Sequence, residues 1–333
     1  MKIFKRFLMI FIFVLAIVLA TSFKASATDE EEEPLILSNG NMVYYAGTSD
    51  PVMLPVTYTQ KDTYFRGVWV TPLCNNLPSC SDSNVTRYKE QVLEMFDTME
   101  YFNLNALIFH VRIFNDALFS SSLNPRSPYM TTSQDMLAWV IDEAHARGIE
   151  FHAWFNPYRV YSSGGSIEEA VNKYKDYPNN PASQASNLLA NDSGGVILNP
   201  GLPEVRQFII DSCMEVVERY DIDAVHFDDY FYISNVDDTE TRNKYNTKNL
   251  SLDDFRREQV DIFIEDLHET LTEYNLLNNK RVQLGISPSG IYRNGDGKVS
   301  YDENGHAITN GSKTSGFAHY GNYLYSDTLK WAN

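Results

Sequence analysis

The chain has 333 residues, 43% hydrophobic and 21% charged, with 44 acidic side chains against 27 basic ones. A formal charge of −17 argues against nucleic acid and anionic membrane as partners, because both repel an acidic surface. Three cysteines make no disulfide framework: either Cys74 and Cys80 pair across a loop, or both are free thiols like Cys213 on its apolar helix face.

Residues 1–27 read as an export signal. Lys2, Lys5 and Arg6 precede an apolar run from Phe7 to Ala20, and Ala25-Ser26-Ala27 offers a small-residue cleavage site. The run is short for a membrane span. Its removal takes away four positive charges and no negative one, moving the formal charge from −17 to −21. Residues 28–61 form an N-terminal extension, opening with a solvated run, Asp29 to Glu33, and continuing polar and β-prone with Gly47, Pro51 and Pro55 as breakers. The main domain is expected over 62–333.

The first strand is Phe65-Arg-Gly-Val-Trp-Val-Thr71, and a helix follows over 84–102 with Val85, Tyr88, Val92, Phe96 and Met99 at helical spacing. The second strand, Ala106 to Arg112, alternates: Leu107, Phe109 and Val111 face one way, His110 and Arg112 the other. A helix over 133–147 stops at Gly148, a favoured C′ residue. The third strand, Ile149 to Asn156, sets Phe151, Ala153 and Phe155 against His152, Trp154 and Asn156. A long polar loop runs from Pro157 to Leu198, and Pro203 opens a helix to about Tyr220.

The fourth strand begins the stretch Asp221-Ile-Asp-Ala-Val-His-Phe-Asp-Asp-Tyr-Phe-Tyr232, with Val225 and Phe227 on one face and Ala224, His226 and Asp228 on the other. A helix over 252–273 leads to a fifth strand, Arg281 to Ser287, which sets Val282, Leu284 and Ile286 against Gln283, Gly285 and Ser287. A strand face carrying His and Asp cannot sit in hydrocarbon, so it lines a polar cavity. Connections from helix into strand are short, whereas those leaving strands three to five run to tens of residues. That asymmetry is the mark of an α/β fold of the (β/α)8 TIM-barrel type, whose chemistry sits at the C-terminal strand ends. About five of its units are present.

Five motifs now stand in order: Phe65-Arg-Gly-Val-Trp-Val, His152-Ala-Trp-Phe-Asn-Pro-Tyr-Arg159, Leu198-Asn-Pro-Gly-Leu-Pro-Glu-Val-Arg206, His226-Phe-Asp-Asp-Tyr-Phe-Tyr232 and Gly285-Ile-Ser-Pro-Ser-Gly-Ile-Tyr-Arg-Asn294. From about residue 64 onward the chain resembles the glycosyl-hydrolase-like family 10, bacterial secreted or envelope proteins built on a (β/α)8-type barrel. The resemblance implies hydrolysis of glycosidic bonds, some members acting on peptidoglycan strands stripped of their peptides. It also implies an extracytoplasmic location and a polysaccharide partner. Two departures stand out: Ser289 replaces a usually bulkier residue, and the family continues into further strands where this chain stops at Asn333. The expectation is a C-terminally truncated barrel, inactive and poorly folded alone.

Cleaving a glycoside takes a proton donor and a second group that traps or stabilises the oxocarbenium-like centre. Asp228 is the first candidate by alternation and Asp229 the second, as adjacent carboxylates repel and keep one protonated. Either Asp228 works with a partner on further strands, or the pair serves substrate-assisted cleavage of an N-acetylated sugar. Substrate contacts are expected from His110, Arg112, His152, Trp154, Asn156, Tyr158, Arg159, His226, Tyr230, Tyr232, Ser287 and Arg293, with Tyr292 also at the mouth. Arg112, Arg159 and Arg293 offer charge for a substrate carboxylate.

No metal or other cofactor is expected. The three histidines lack a ligand motif of short spacing. In Asn294-Gly-Asp-Gly-Lys-Val-Ser-Tyr-Asp-Glu303 an EF-hand alignment puts Tyr292 at the first ligand position, which favours a glycine turn. A non-catalytic glycan-binding protein on the same fold is the alternative function; a calcium-dependent adhesion module is a third.

Overall fold

Five short apolar runs, each too brief to be stable alone, pair into one parallel sheet. The computed structural model describes residues 32–44, 49–56, 64–74, 77–303, 307–321 and 323–332. The expected export segment lies outside these, and among the described residues no helix is long and apolar enough to cross a membrane. The chain divides into two units between Tyr64 and Phe65. In the first, Glu32–Pro34 pairs antiparallel with Met53–Pro55.

The second unit holds β1 (Gly67–Val70), β2 (Ala106–Arg112), β3 (Glu150–Phe155), β4 (Ala224–Phe227) and β5 (Gln283–Ile286). They lie side by side in chain order, every neighbour parallel. Parallel neighbours need crossovers, and α1 (Val85–Tyr101), α2 (Met136–Ala146), α3 (Ile167–Tyr174), α4 (Pro203–Arg219), α5 (Thr239–Tyr245) and α6 (Leu252–Asn278) lie within them, while α7 (Thr328–Ala332) follows β5.

The helix boundaries follow local chemistry. The Asp135 carboxylate accepts from the Ala138 N–H at 3.1 Å to start α2, and Gly148 takes φ +67° just beyond its end. Pro203 stands at the first position of α4. The Ser251 hydroxyl caps α6, which runs five residues past the expected 273 to a left-handed Asn279.

The outer face of the sheet is aromatic. Phe109 meets Phe151 at 5.7 Å between ring centroids, and Phe227 meets both Phe155 at 6.3 Å and Phe263 of α6 at 5.4 Å. All five rings are buried, each contributing about 2–3 kcal/mol of apolar transfer. Central β4 is buried along its length, while β1 and β5 at the edges are partly exposed.

The loop expected over 157–198 carries structure of its own. Arg159–Tyr161 and Leu188–Ala190 both pair antiparallel with Val196–Leu198, and α3 starts behind a Ser166 cap. Strands of three residues are too short for alternation to reveal. Cys80 and Cys213 are buried free thiols, so the bridge weighed between Cys74 and Cys80 is not formed.

Candidate active site

Register places side chains of successive strands in rows across the inner face. His110, Trp154, His226 and Gly285 are direct cross-strand partners, and Thr71 extends the row beyond β1, its hydroxyl 2.9 Å from His110 Nδ1. One row toward the N-terminal ends lie Trp69, Ile108, His152 and Ala224. The Trp69 ring meets Trp154 at 4.6 Å and His226 at 4.8 Å, both edge to face. His110 stacks flat on Trp154 at 3.7 Å and 8°. Only glycine fits at 285, where a Cβ would approach His226 Nδ1 to 2.8 Å.

A polar chain runs through these rings. Glu150 Oε2 lies 3.2 Å from His152 Nε2, His152 Nδ1 3.5 Å from His226 Nδ1, and His226 Nε2 2.8 Å from the Ser287 hydroxyl. Burial, then the neighbouring His152, lowers His226 to about 4, so it is neutral at physiological pH. Burial also holds His110 well below its ordinary value, with Arg159 adding to the effect.

Beyond this layer, at the C-terminal end of β4, come the two carboxyls. Asp228 is half-buried, and burial pushes it up to about 6, with Asp229 adding to the rise. The Tyr230 N–H, donating to Asp228 Oδ1 at 3.1 Å, together with Arg159 and Trp154, opposes that rise. Asp229 is raised too, first by burial, while its own N–H, His319 and Arg159 draw it down. A carboxyl poised near 6 exchanges a proton readily in mildly acidic to neutral solution, as a general acid or base must.

Residues 64–333 match the family described as Glycosyl hydrolase-like 10. The chain belongs to that family. It is 32% identical over 285 residues to Glycosyl hydrolase YngK of Bacillus subtilis (strain 168), covering 82% of this chain and 52% of the relative. It is likewise 32% identical over 297 residues to Glycosyl hydrolase DigH of Escherichia coli (strain K12), covering 83% of this chain and 64% of the relative. The chain thus spans between half and two thirds of these relatives. Among solved structures, the glycoside hydrolase domain of PgaB (BpsB) from Bordetella bronchiseptica aligns with a TM-score of 0.47 at 14% identity, covering 67% of this chain and 65% of that one.

For this member of the glycosyl hydrolase-like 10 family, the structure gathers many of the residues named from sequence. Asp228, Asp229, Trp154, His110, His152, His226, Ser287 and Arg159 interlock as described, and Tyr230 lies exposed beneath the Arg159 guanidinium.

Four placements need correction. Arg112 does not face the cavity, because a bulge between His110 and Arg112 pairs it with Phe155 and turns it outward. It is 1% exposed, donating to the carbonyls of Asn156 and Pro157 at 2.7 and 2.8 Å and to the side chains of Asn115 and Asn124, the latter bonded to Ser212 of α4. Asn156 is fully buried, its amide donating to the Ile113 carbonyl. Tyr158, 0% exposed, packs on Phe263 of α6. Tyr232, 1% exposed, packs on Tyr325.

Arg293 is exposed and stacks on Tyr320, while the Tyr292 hydroxyl donates to Asp327 at 2.9 Å; these contacts belong to a neighbouring cluster. In the glycine turn, Asp296 Oδ1 accepts from the Lys298 N–H and Gly297 takes φ +77°. Among the described residues no three His, Cys, Asp or Glu side chains gather as metal ligands.

Sequence reasoning missed Trp69, Thr71 and His319. Alternation in the first strand puts Trp69 and Thr71 on one face and was signal enough. His319, bonded to the Ser289 carbonyl and the Thr328 hydroxyl, comes from an irregular segment that carries no such signal. A cavity of about 410 Å3 lies elsewhere, on the helix side of β5 between Ile264, Leu284, Ile286 and Trp331.

Proposed function

We propose that this chain is an exported glycoside hydrolase that cuts the glycan of a cell-wall-type polysaccharide, peptide-free peptidoglycan strands foremost, and that its sheet is a sector of a (β/α)8 barrel. The observation carrying the proposal is the Asp228 carboxyl, held near 6 at the C-terminal end of a central strand with Asp229 and Arg159 beside it. Membership of the glycosyl hydrolase-like 10 family supports a glycan as the substrate.

In this reading Asp228 handles the proton or the anomeric carbon, Asp229 is the second carboxylate, and the half-buried ring of Trp69 with exposed Tyr230 offers a surface for a sugar. Asp228 at about 6 suits the acid of an acid/base pair; ionised, it suits attack on, or polarisation of, an N-acetylated sugar. Neutral His226 keeps charge out of the cavity floor and directs hydrogen bonds only.

The test is release of new reducing ends from peptide-free peptidoglycan, chitin oligomers and neutral polysaccharides. Release from peptide-free strands above the others supports the proposal. Saturable binding with no release from any glycan identifies a glycan-binding protein instead.

A further inference from the structure

We propose that Trp154 is a positioning residue for Asp228: its indole N–H holds the carboxylate, and Thr71 and His110 fix the plane of the indole. The inference rests on reading Asp228 as the functional carboxyl. The Trp154 N–H is buried and, among the described residues, no acceptor meets it in hydrogen-bond geometry. Trp154 is the cross-strand partner of His226, and Asp228 follows two residues later on the same face, where Trp154 is among the groups that favour its anion. A buried donor without a full partner is costly, so it persists where the surroundings impose it.

Those surroundings are visible. The indole is clamped between His110, flat against it at 3.7 Å, and Trp69, edge-on at 4.6 Å. His110 is in turn fixed by the Thr71 hydroxyl at 2.9 Å, which also accepts from the Leu73 N–H at 3.2 Å. Side chains of three neighbouring strands, Trp69 of β1 with Thr71 just beyond it, His110 of β2 and Trp154 of β3, therefore set the plane of a single indole near the end of a fourth. Asp228 is also faced by the Tyr230 N–H, Arg159 and Asp229, with neutral His226 one alternation below and Ser287 engaged by that histidine. Among the described residues no hydrogen bond links the indole N–H to any of these others, so Trp154→Phe removes the contribution of that donor alone.

The experiment has two readouts. By NMR, without substrate, the Trp154 indole resonance of the wild-type protein should move with the Asp228 titration, and the movement should vanish in Asp228→Asn. In the pH–rate profile, Trp154→Phe, which keeps a ring but loses the donor, should move the Asp228 limb upward by about half a pH unit or more. His110→Ala should shift the limb in the same direction, and His110→Phe, which restores a stacking face, should return it.

An indole resonance insensitive to both pH and Asp228→Asn overturns the contact, even if Trp154→Phe does not fold. An unmoved limb in Trp154→Phe overturns its consequence, and an unmoved limb in His110→Ala removes His110 from the device. If the protein cleaves no glycan, the hydrolase reading fails while the indole titration still decides the contact.

Discussion

The guanidinium of Arg159 lies over the ring of Tyr230, 4.2 Å from its centroid, and its charge bears on both Asp228 and Asp229. Among the described residues no ion pair takes up that charge. Removing a nearby cation disfavours the ionised carboxyls, so Arg159→Ala should move the titrations of Asp228 and Asp229 upward in pH. The same cation is the one, of three considered from sequence, that stands beside the carboxyls, and it is expected to favour a substrate carboxylate. Cleavage of acidic glycans relative to their carboxyl-reduced forms should therefore fall several-fold in Arg159→Ala. Equal preference in variant and wild type would remove Arg159 from recognition.

Asp228→Asn should lower glycan cleavage by about a hundredfold or more while the protein stays folded. The variant also tests the environment. Asp228 is raised from an ordinary carboxyl value to about 6, so its ionisation opposes folding: stability is full below pH 4 and is lost as pH rises through 6. The amide that replaces the carboxyl never ionises. The variant should match wild type at pH 3–4 and exceed it at pH 8 by roughly 1–2 kcal/mol, a figure reduced for partial exposure. Parallel stability curves across that range would refute the raised value.

Alternation made the sheet legible, since Phe109, Phe151, Phe155 and Phe227 could face only the helices, leaving His110, His152, Trp154 and His226 for the cavity. It failed at Arg112, because one bulge reverses the face of every residue beyond it. Tyr158 and Tyr232 stand past their strand ends, where turn geometry rather than strand period sets direction. His319 bears electrostatically on Asp229 from 90 positions further along the sequence, a proximity that no local pattern encodes. What was readable is periodic; what was not is the irregular backbone that finishes the site.

Arg256 and Asp238 form a buried bidentate pair, with Nε to Oδ2 and Nη2 to Oδ1 both at 2.8 Å, and further bonds to the Tyr325 hydroxyl and the Val236 carbonyl. It ties α6 to the loop that leaves β4 and so braces the segment after Asp228 and Asp229. Arg256→Ala leaves a buried unpaired carboxylate and should cost about 3–5 kcal/mol in chemical denaturation. The double variant Arg256→Met with Asp238→Asn should recover most of that loss. A loss under about 1 kcal/mol in Arg256→Ala would show that solvent already reaches the pair.

Among the described residues β1 and β5 each pair on one side only, with β2 and β4 respectively. An edge strand keeps half its backbone groups free to exchange with water, and both strands are only partly buried, unlike β4. Amide hydrogen exchange should therefore fall into two classes: slow in β2, β3 and β4, which pair on both sides, and fast in β1 and β5. Because His226 is bonded to Ser287, just past the end of β5, local opening of that edge should also release His226 and raise its titration from about 4 toward the ordinary histidine range. Ser287→Ala removes this tie, so it should speed exchange in β5 more than in β1. Uniform protection across all five strands would mean that the two edges are covered in solution.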